Sequence, residues 1–264
     1  MSLQGCPLLY VFLESSEPDV QRELFEQTLG LELIEIEPHL PHHRHGIVKY
    51  DAGNLILSLN EATPGAFRAG YSDGMVMVFD SPTPWRVTEA IASGRMIAHG
   101  DGRFTDQHGH HYLSRLASAG ATQRRHVLTA LRLRVPDVAA AVSFYQSQLG
   151  LDLVEATGRT ACFATGSAML ELEQGESSPD GKVRRAEGYL IVFYSGRIEE
   201  SFASLVRRGV PFKGGIANSE IGRTIRFQDP AGHHICVYQP SPECLQWGSG
   251  AKVLEIAASS LARQ

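Results

Sequence analysis

The chain has 264 residues and a formal net charge of −5, from 24 basic and 29 acidic residues that are mixed along the sequence. This mixture argues against nucleic acid or an anionic membrane as the main partner. Four cysteines without CxxC spacing, in a chain too large to need disulfides, favour a reducing cytoplasmic setting, and the N-terminal sequence predicts neither a secretion signal nor a membrane span.

The first half of the chain predicts two consecutive units with the order strand, helix and three strands (βαβββ). In the first unit, period-two alternation and turn residues place strands at 8–14, 31–37, 46–51 and 54–59, with a helix ending near Leu29. The second unit is abbreviated, with a strand at 75–79, a helix near 84–93 and short strands that end at Leu116.

The second half repeats this order more fully. Leu131, Leu133 and Val135 alternate with arginines, as in a strand with one apolar face, and Asp137 is the expected N-cap of the helix that follows. Gly150 suits the end of that helix. Further strands are predicted at 151–155, 160–164, 168–173, 190–194, 223–227 and 234–238.

Two sequence matches show that the halves are related. TLGLELIE (28–35) resembles QLGLDLVE (148–155), and Asp106, Gly109, His110 and His111 match Asp229, Gly232, His233 and His234. We therefore predict a tandem α+β repeat with four βαβββ units. Its parts are a first domain at 1–118, a linker at 119–126, a second domain at 127–240 and a partly helical tail at 241–264.

Three motifs in the second half resemble the vicinal oxygen chelate superfamily, which contains glyoxalase I, bleomycin resistance proteins and extradiol dioxygenases. They are RVPDVAAAVSFYQSQLGLDLVE, AMLELEQ and RFQDPAGHHICVYQP. The resemblance covers residues 127–240 clearly and residues 8–116 more weakly. It implies that the four units form two cup-shaped, glyoxalase-like domains with mixed sheets, the first of them degenerate.

The resemblance also implies where catalytic members hold a metal, at one position on each of four cup-facing strands. The corresponding residues here are Tyr10, Ser58, Met75 and Leu113 in the first half, and Ala130, Glu171, Tyr189 and Cys236 in the second. A divalent ion needs three or four converging donors. Only Glu171 qualifies, so we predict a degenerate metal site and no cofactor.

The cup-facing side chains of the second half suggest a ligand site instead. If its units share one cup, the expected lining includes Arg132, Glu171, Tyr189, Arg226, His234 and Tyr238. Three interpretations stay open: an internal ion network of the charged residues, an arginine that binds a ligand carboxylate or phosphate, and an open water-filled cup. Glu171, His234 and Cys236 are the candidate ligands if a zinc-like ion binds here.

The first cup is expected to be more apolar, lined by Tyr10, Phe12, Ile56, Ser58, Asn60, Met75, Met77, Phe79 and Leu113. Its apolar side chains are typical of a cup closed by loops or by the other domain. The histidines at 39, 42, 43 and 45 fall in a proline-punctuated stretch, which predicts a solvated loop.

These patterns favour a protein that binds a small organic molecule, anionic or aromatic, as a monomer or homodimer. One alternative is a metal-dependent lyase, isomerase or extradiol-type dioxygenase that uses Zn, Fe, Mn or Ni with non-standard ligands. The other is a scaffold whose cups are filled by its own side chains and whose outer surface binds a partner protein. Whether any reaction is catalysed is left open at this stage.

Overall fold

The computed structural model describes residues 3–37, 46–61, 74–117, 125–175 and 188–261. In these ranges the chain forms sixteen strands, each unit contributing four. They are β1 (Leu8–Ser15), β2 (Glu32–Glu37), β3 (Ile47–Asp51), β4 (Ile56–Glu61), β5 (Met75–Ser81), β6 (Met96–Gly100), β7 (Arg103–Asp106), β8 (His111–Leu116), β9 (Val127–Val135), β10 (Asp152–Ala156), β11 (Thr160–Ala164), β12 (Met169–Gln174), β13 (Tyr189–Tyr194), β14 (Ala217–Ser219), β15 (Gly222–Gln228) and β16 (His234–Pro240).

Each unit has a helix after its first strand, and the tail adds one more. These helices are α1 (Pro18–Glu23), α2 (Thr88–Ala92), α3 (Val138–Ser143), α4 (Ile198–Arg207) and α5 (Gly250–Leu261), with a short 3-10 turn at Cys244–Gln246 before α5. Among the described residues, no helix is both long enough and apolar enough to span a membrane.

The predicted helix signature of the two halves is confirmed in detail. The Asp137 side chain accepts a hydrogen bond from the amide of Ala140 at 3.0 Å and so caps α3. Both α1 and α3 end in a single π-helical turn, at Leu24–Thr28 and Phe144–Gln148. Gly30 and Gly150 follow with φ of 62° and 74°, a conformation that glycine adopts without strain, which explains the repeated Leu-Gly pair.

The strands form two eight-stranded mixed sheets, and the α+β architecture with two cups is as predicted. The order is β14-β15-β16-β13-β1-β4-β3-β2 in the first sheet and β10-β11-β12-β9-β5-β8-β7-β6 in the second. The first unit of the chain therefore shares a sheet with the fourth, and the second unit shares one with the third.

This pairing corrects the expectation that each half of the sequence builds its own cup. β1 runs antiparallel to β13, with Val11 opposite Ile191, and β5 runs antiparallel to β9, with Met77 opposite Leu131. The first strand of every unit lies inside its sheet and pairs with one strand on each side. The repeat identifies these strands but does not specify which two of them pair.

The repeated Asp-x-x-Gly-His-His motif forms turns that join the two sheets within each half. Asp106 Oδ1 accepts the amides of His108 and His110, each at 2.9 Å, and Oδ2 accepts Gln21 Nε2 and the Tyr112 hydroxyl, each at 2.7 Å. His110 Nε2 then donates to the carbonyl of Glu14 on β1, in the other sheet, at 3.1 Å. These buried bonds give the motif a structural role.

The second copy of the turn is built in the same way. Asp229 accepts the amide of His233 and the hydroxyl of Tyr145, both at 2.8 Å. His233 Nε2 donates to the carbonyl of Arg134 on β9 at 2.8 Å, which leaves Nδ1 to accept the hydroxyl of Tyr189. In each half of the chain, one histidine side chain therefore links the two sheets.

Candidate ligand-binding cup

The concave face of the first sheet encloses a cavity of about 410 Å³. This volume lies within the range of about 300 to 1,000 Å³ that is typical of small-molecule sites. We call this space the first-sheet cup. Its walls come from both ends of the chain: Tyr10, Phe12, Glu14, Glu37, Ile47, Lys49 and Asn60 from the first unit, Tyr189, Leu190, Val192, Ile221, Thr224, Arg226, His234, Cys236 and Tyr238 from the fourth, and Cys244 from the tail.

Aromatic rings form much of the apolar wall. The ring centroids of Tyr10 and Phe12 are 5.3 Å apart, and those of Tyr10 and Tyr238 are 6.3 Å apart in an edge-on arrangement. The Tyr238 hydroxyl donates to the carbonyl of Ile221 at 2.6 Å, which fixes that ring. Burial raises the pKa of both tyrosines well above the ordinary value, so they stay neutral.

Lys49 is the buried cation of this cup, with only 3% of its surface exposed. Its ammonium group lies 3.4 Å from Glu35, contacts Glu37, and donates to the Ser249 hydroxyl at 2.9 Å. Burial alone would raise the pKa of Glu35, but hydrogen bonds from Ser249 and the charge of Lys49 lower it. Lys49 is therefore neutralised by the protein's own carboxylates.

Two other polar groups of this cup, Arg226 and Asn60, are better placed for a ligand. Arg226 is exposed on β15, opposite Cys236, and among the described residues no carboxylate forms an ion pair with it. The side-chain oxygens of Asn60 and Ser58 are buried and have no hydrogen-bond partner in the part of the chain that the structure describes. A buried polar atom without a partner is destabilising by about 1 to 3 kcal/mol, so a ligand donor at Asn60 would remove that penalty.

The second sheet has a concave face of a different character. Arg132 Nε donates to Glu171 at 2.8 Å, and Arg115 reaches the same carboxylate at 3.4 Å. Arg134 lies opposite Glu173 on the neighbouring strand. Glu171 is thus paired within the protein, as in the ion network that the sequence left open, but Arg226, the third expected member, lies on the first sheet. The adjoining cavity is about 190 Å³.

The six predicted ligand-binding residues are divided between these two cups. Four of them border the first-sheet cup, namely Tyr189, Arg226, His234 and Tyr238. They lie on β13, β15 and β16 of the fourth unit. Arg132 and Glu171 belong to β9 and β12 in the second sheet. The expectation of one shared lining was wrong because it assumed that the third and fourth units form one sheet.

Two strands also differ by one residue from the predicted register. Met75, Met77 and Phe79 on β5 are buried in the hydrophobic core, and Val76, opposite Arg132, faces the second-sheet cup instead. On β13, Leu190 and Val192 face the first-sheet cup, while the hydroxyl of Tyr189 points to His233. Both strands are apolar at successive positions, so alternation could not fix their inner face.

The three predicted metal ligands do not form one site. Glu171 lies on the second sheet whereas His234 and Cys236 lie on the first, so the three predicted candidates do not converge. Within the described residues, no group of three His, Cys, Asp or Glu side chains could hold an ion. Burial also raises the pKa of the Cys236 thiol to about 12, and only a thiolate is a good ligand.

Several lining residues were missed by the sequence analysis, notably Glu14, Glu37, Lys49 and Cys244. Glu14 shares the inward face of β1 with Phe12, and Lys49 shares the inward face of β3 with Ile47, so strand alternation could have identified both once the unit was assigned. Cys244 belongs to the tail, for which the sequence indicated only partial helicity.

Comparisons with known proteins agree with this architecture. Residues 123–237 match the model of the Glyoxalase/Bleomycin resistance protein/Dioxygenase superfamily. Glyoxalase I from Zea mays has a TM-score of 0.68 at 14% identity, covering 96% of this chain and 96% of that one. A candidate dioxygenase from Bacillus subtilis has a TM-score of 0.64 at 11% identity, covering 90% and 86%. No curated protein sequence matches the chain.

At such low identities, the likeness to solved structures concerns the fold. Together with the four βαβββ units in two cups, it shows that the chain has a glyoxalase-like fold. Residues 123–237 belong to the Glyoxalase/Bleomycin resistance protein/Dioxygenase superfamily.

Proposed function

We propose that this protein binds a small aromatic molecule with an acidic substituent in the first-sheet cup. The observation that carries the proposal is the position of Arg226, which lies beside an aromatic cavity and has no carboxylate partner among the described residues. A guanidinium group binds carboxylates through paired hydrogen bonds, and such charged bonds contribute about 1.5 to 3 kcal/mol.

The rest of the lining supports the same ligand class. Tyr10, Phe12 and Tyr238 offer ring contacts worth about 0.5 to 1.5 kcal/mol each beyond buried area. The unpartnered oxygen of Asn60 supports a hydrogen-bond donor on the ligand, such as a ring hydroxyl. The ligand class is therefore a hydroxylated aromatic acid, held by its acid at Arg226 and by its hydroxyl at Asn60.

A metal-dependent lyase, isomerase or dioxygenase is the second candidate, since the superfamily contains such enzymes. Its support is the pair His234 and Cys236 on one face of β16, but the described residues supply no third donor beside them. Binding is therefore the better supported function. The four free cysteines, two of them buried, support a reducing cytoplasmic setting.

Calorimetry with a small matched panel tests the proposal. We expect 4-hydroxybenzoate to bind more tightly than the neutral 4-hydroxybenzamide and than the non-aromatic cyclohexanecarboxylate. Arg226→Gln should lower the affinity for 4-hydroxybenzoate by about fivefold to thirtyfold, as expected for loss of one charged contact at a partly solvated position. Arg132→Gln, in the other cup, is the matched control and should leave the affinity unchanged.

Two results would contradict the proposed function. No binding by any aromatic acid in the panel would do so, and so would binding that depends on Arg132 and not on Arg226. Metal analysis of untagged protein addresses the second candidate, because about one bound transition ion per chain would favour an enzyme.

A further inference from the structure

The C-terminal segment occupies one end of the first-sheet cup. Val253 and Ile256 of α5 are 2% and 3% exposed, and they are buried in a hydrophobic cluster separate from the main core. The other buried members of this cluster lie on β1, β4, β13 and β16, namely Leu9, Tyr10, Ile56, Val192, Cys236 and Tyr238. All of them except Leu9 and Ile56 line the cup. The tail helix therefore covers the concave face of the sheet rather than the outer surface.

Polar contacts hold the segment at the rim of the cup. Glu35 on β2 accepts the amides of Gly248 and Ser249, at 3.2 and 3.1 Å, just before α5 begins. Lys49 donates to the Ser249 hydroxyl at 2.9 Å. One turn into the helix, Lys252 lies 3.3 Å from Asp51 on β3. All of these partners belong to the first unit, near the opposite end of the chain.

The helix covers one end of the cavity, because its hydrophobic cluster and the cavity lining share four buried residues, namely Tyr10, Val192, Cys236 and Tyr238. Strand register then shows which residues form the opposite end. The helix clusters with Tyr10 and Ile56, which are adjacent on β1 and β4. Two residues further along these strands, Phe12 lies beside Ser58, and Glu14 lies beside Asn60. Phe12, Glu14 and Asn60 line the cavity, together with Leu190 and His234 from the fourth unit.

We propose that the segment Cys244–Leu261 is a plug that limits the length of the molecule the cup accepts. The ligand enters at the end formed by Glu14, Asn60 and His234, and extends inward until it meets the cluster around Val253 and Ile256. The statement about ligand length rests on the proposed binding function, whereas the position of the plug is independent of it. A chain without the plug would offer a longer apolar groove of the same width.

The first test measures whether the plug covers the cup, without any ligand, from the reactivity of the Cys236 thiol. Cys236 is 2% exposed and belongs to the cluster that α5 covers. In a background with Cys6→Ser, Cys162→Ser and Cys244→Ser, deletion of residues 248–264 should accelerate reaction with a disulfide reagent at least tenfold. Ile256→Asp should act in the same direction, and it supplies the readout if the shortened chain does not fold. Leu254→Asp is the matched control, because Leu254 is 50% exposed on the same helix, and it should leave the rate unchanged.

The second test uses 4-hydroxybenzoates with a 2-alkyl group of increasing chain length as probes, because a chain beside the carboxylate at Arg226 extends toward the cluster that α5 covers. The full chain should bind the short members and reject the octyl member. Deletion of residues 248–264, and likewise Ile256→Asp, should raise the affinity for the octyl member at least tenfold above that of the full chain.

Unchanged thiol reactivity after deletion and after Ile256→Asp would overturn the plug. Increased thiol reactivity with octyl affinity equal to that of the full chain would overturn the length limit. Failure of every benzoate to bind to any variant, with increased thiol reactivity, would overturn the proposed ligand class and the length limit and leave the plug standing.

Discussion

Lys49 and Ser249 lie 200 residues apart in the sequence, and the Lys49 ammonium donates to the Ser249 hydroxyl at 2.9 Å. The same ammonium group contacts Glu35 and Glu37, so one buried cation joins β2, β3 and the start of α5. Its loss would leave two carboxylates in a poorly solvated place.

We therefore expect Lys49→Met to destabilise the protein by about 3 to 5 kcal/mol, because removal of one partner leaves uncompensated buried charge. Urea unfolding measures the loss. Combining Lys49→Met with Glu35→Gln and Glu37→Gln should restore most of it. Arg125→Met, which removes a surface arginine that is 47% exposed, should change stability by less than about 1 kcal/mol. A small effect of Lys49→Met would contradict the central role of this cation.

Glu35 makes the stability of the protein depend on pH in the acid range. Burial acts to raise its pKa in the folded protein, but bonds from Ser249 and the charge of Lys49 outweigh burial and lower the pKa from an ordinary value near 4.5. The unfolded chain therefore takes up the proton first as pH falls, and the stabilisation is lost below about pH 4.5. The midpoint of thermal unfolding should drop in that range, and the drop should be smaller in Glu35→Gln.

His110 makes stability depend on pH in a second, less acidic range. Burial lowers its pKa from an ordinary value of 6.5, although nearby Asp106 acts in the opposite direction. The unfolded chain binds the proton more readily, so stability is complete above about pH 6.5 and declines as pH falls below it. His110→Gln should flatten this decline, and His99→Gln, at an exposed position, should not. Burial also lowers the pKa of His108, so the decline should shrink in His110→Gln rather than disappear.

Asp106 is predicted to be among the turn residues most sensitive to substitution. It accepts four hydrogen bonds while only 3% exposed, so Asp106→Ala would leave several buried donors without a partner. We expect a loss of about 3 kcal/mol or more by urea unfolding. Glu89→Ala, at an exposed position of α2, should be nearly neutral.

The Arg132–Glu171 ion pair should contribute little to stability and nothing to binding of aromatic acids. Both side chains are 21% exposed, so solvent weakens their attraction. A double-mutant cycle with Arg132→Met and Glu171→Gln should give a coupling energy of about 0.5 to 1 kcal/mol. A coupling energy several times larger, or loss of 4-hydroxybenzoate affinity in either variant, would show that this cup has a function of its own.

The sequence predicted the repeated unit well because its signals are local. The cap at Asp137, the Leu-Gly helix end and the turn at Asp229 each depend on a few neighbouring residues. The assignment of residues to cups was only partly correct, since Arg132 and Arg226 proved to lie on different sheets. That outcome depends on which central strands pair across the chain, and the local sequence of a single strand does not specify its partner.

The tail illustrates the same limit. Its helical pattern is visible in the sequence, but its docking site consists of side chains from β1, β4, β13 and β16 that come together only in the folded sheet. The sequence therefore predicted a helix there but carried no signal for its position on the concave face.

The order of strands in the first sheet also determines how the protein can be made. The second sheet combines consecutive units and can close while the rest of the chain is still being synthesised, whereas β1 must wait for β13 to leave the ribosome. Until then the nascent chain presents the unpaired edge of an apolar strand. Newly made protein is therefore most exposed to aggregation through its first unit, and a circular permutant with the third and fourth units placed before the first and second would reverse that order.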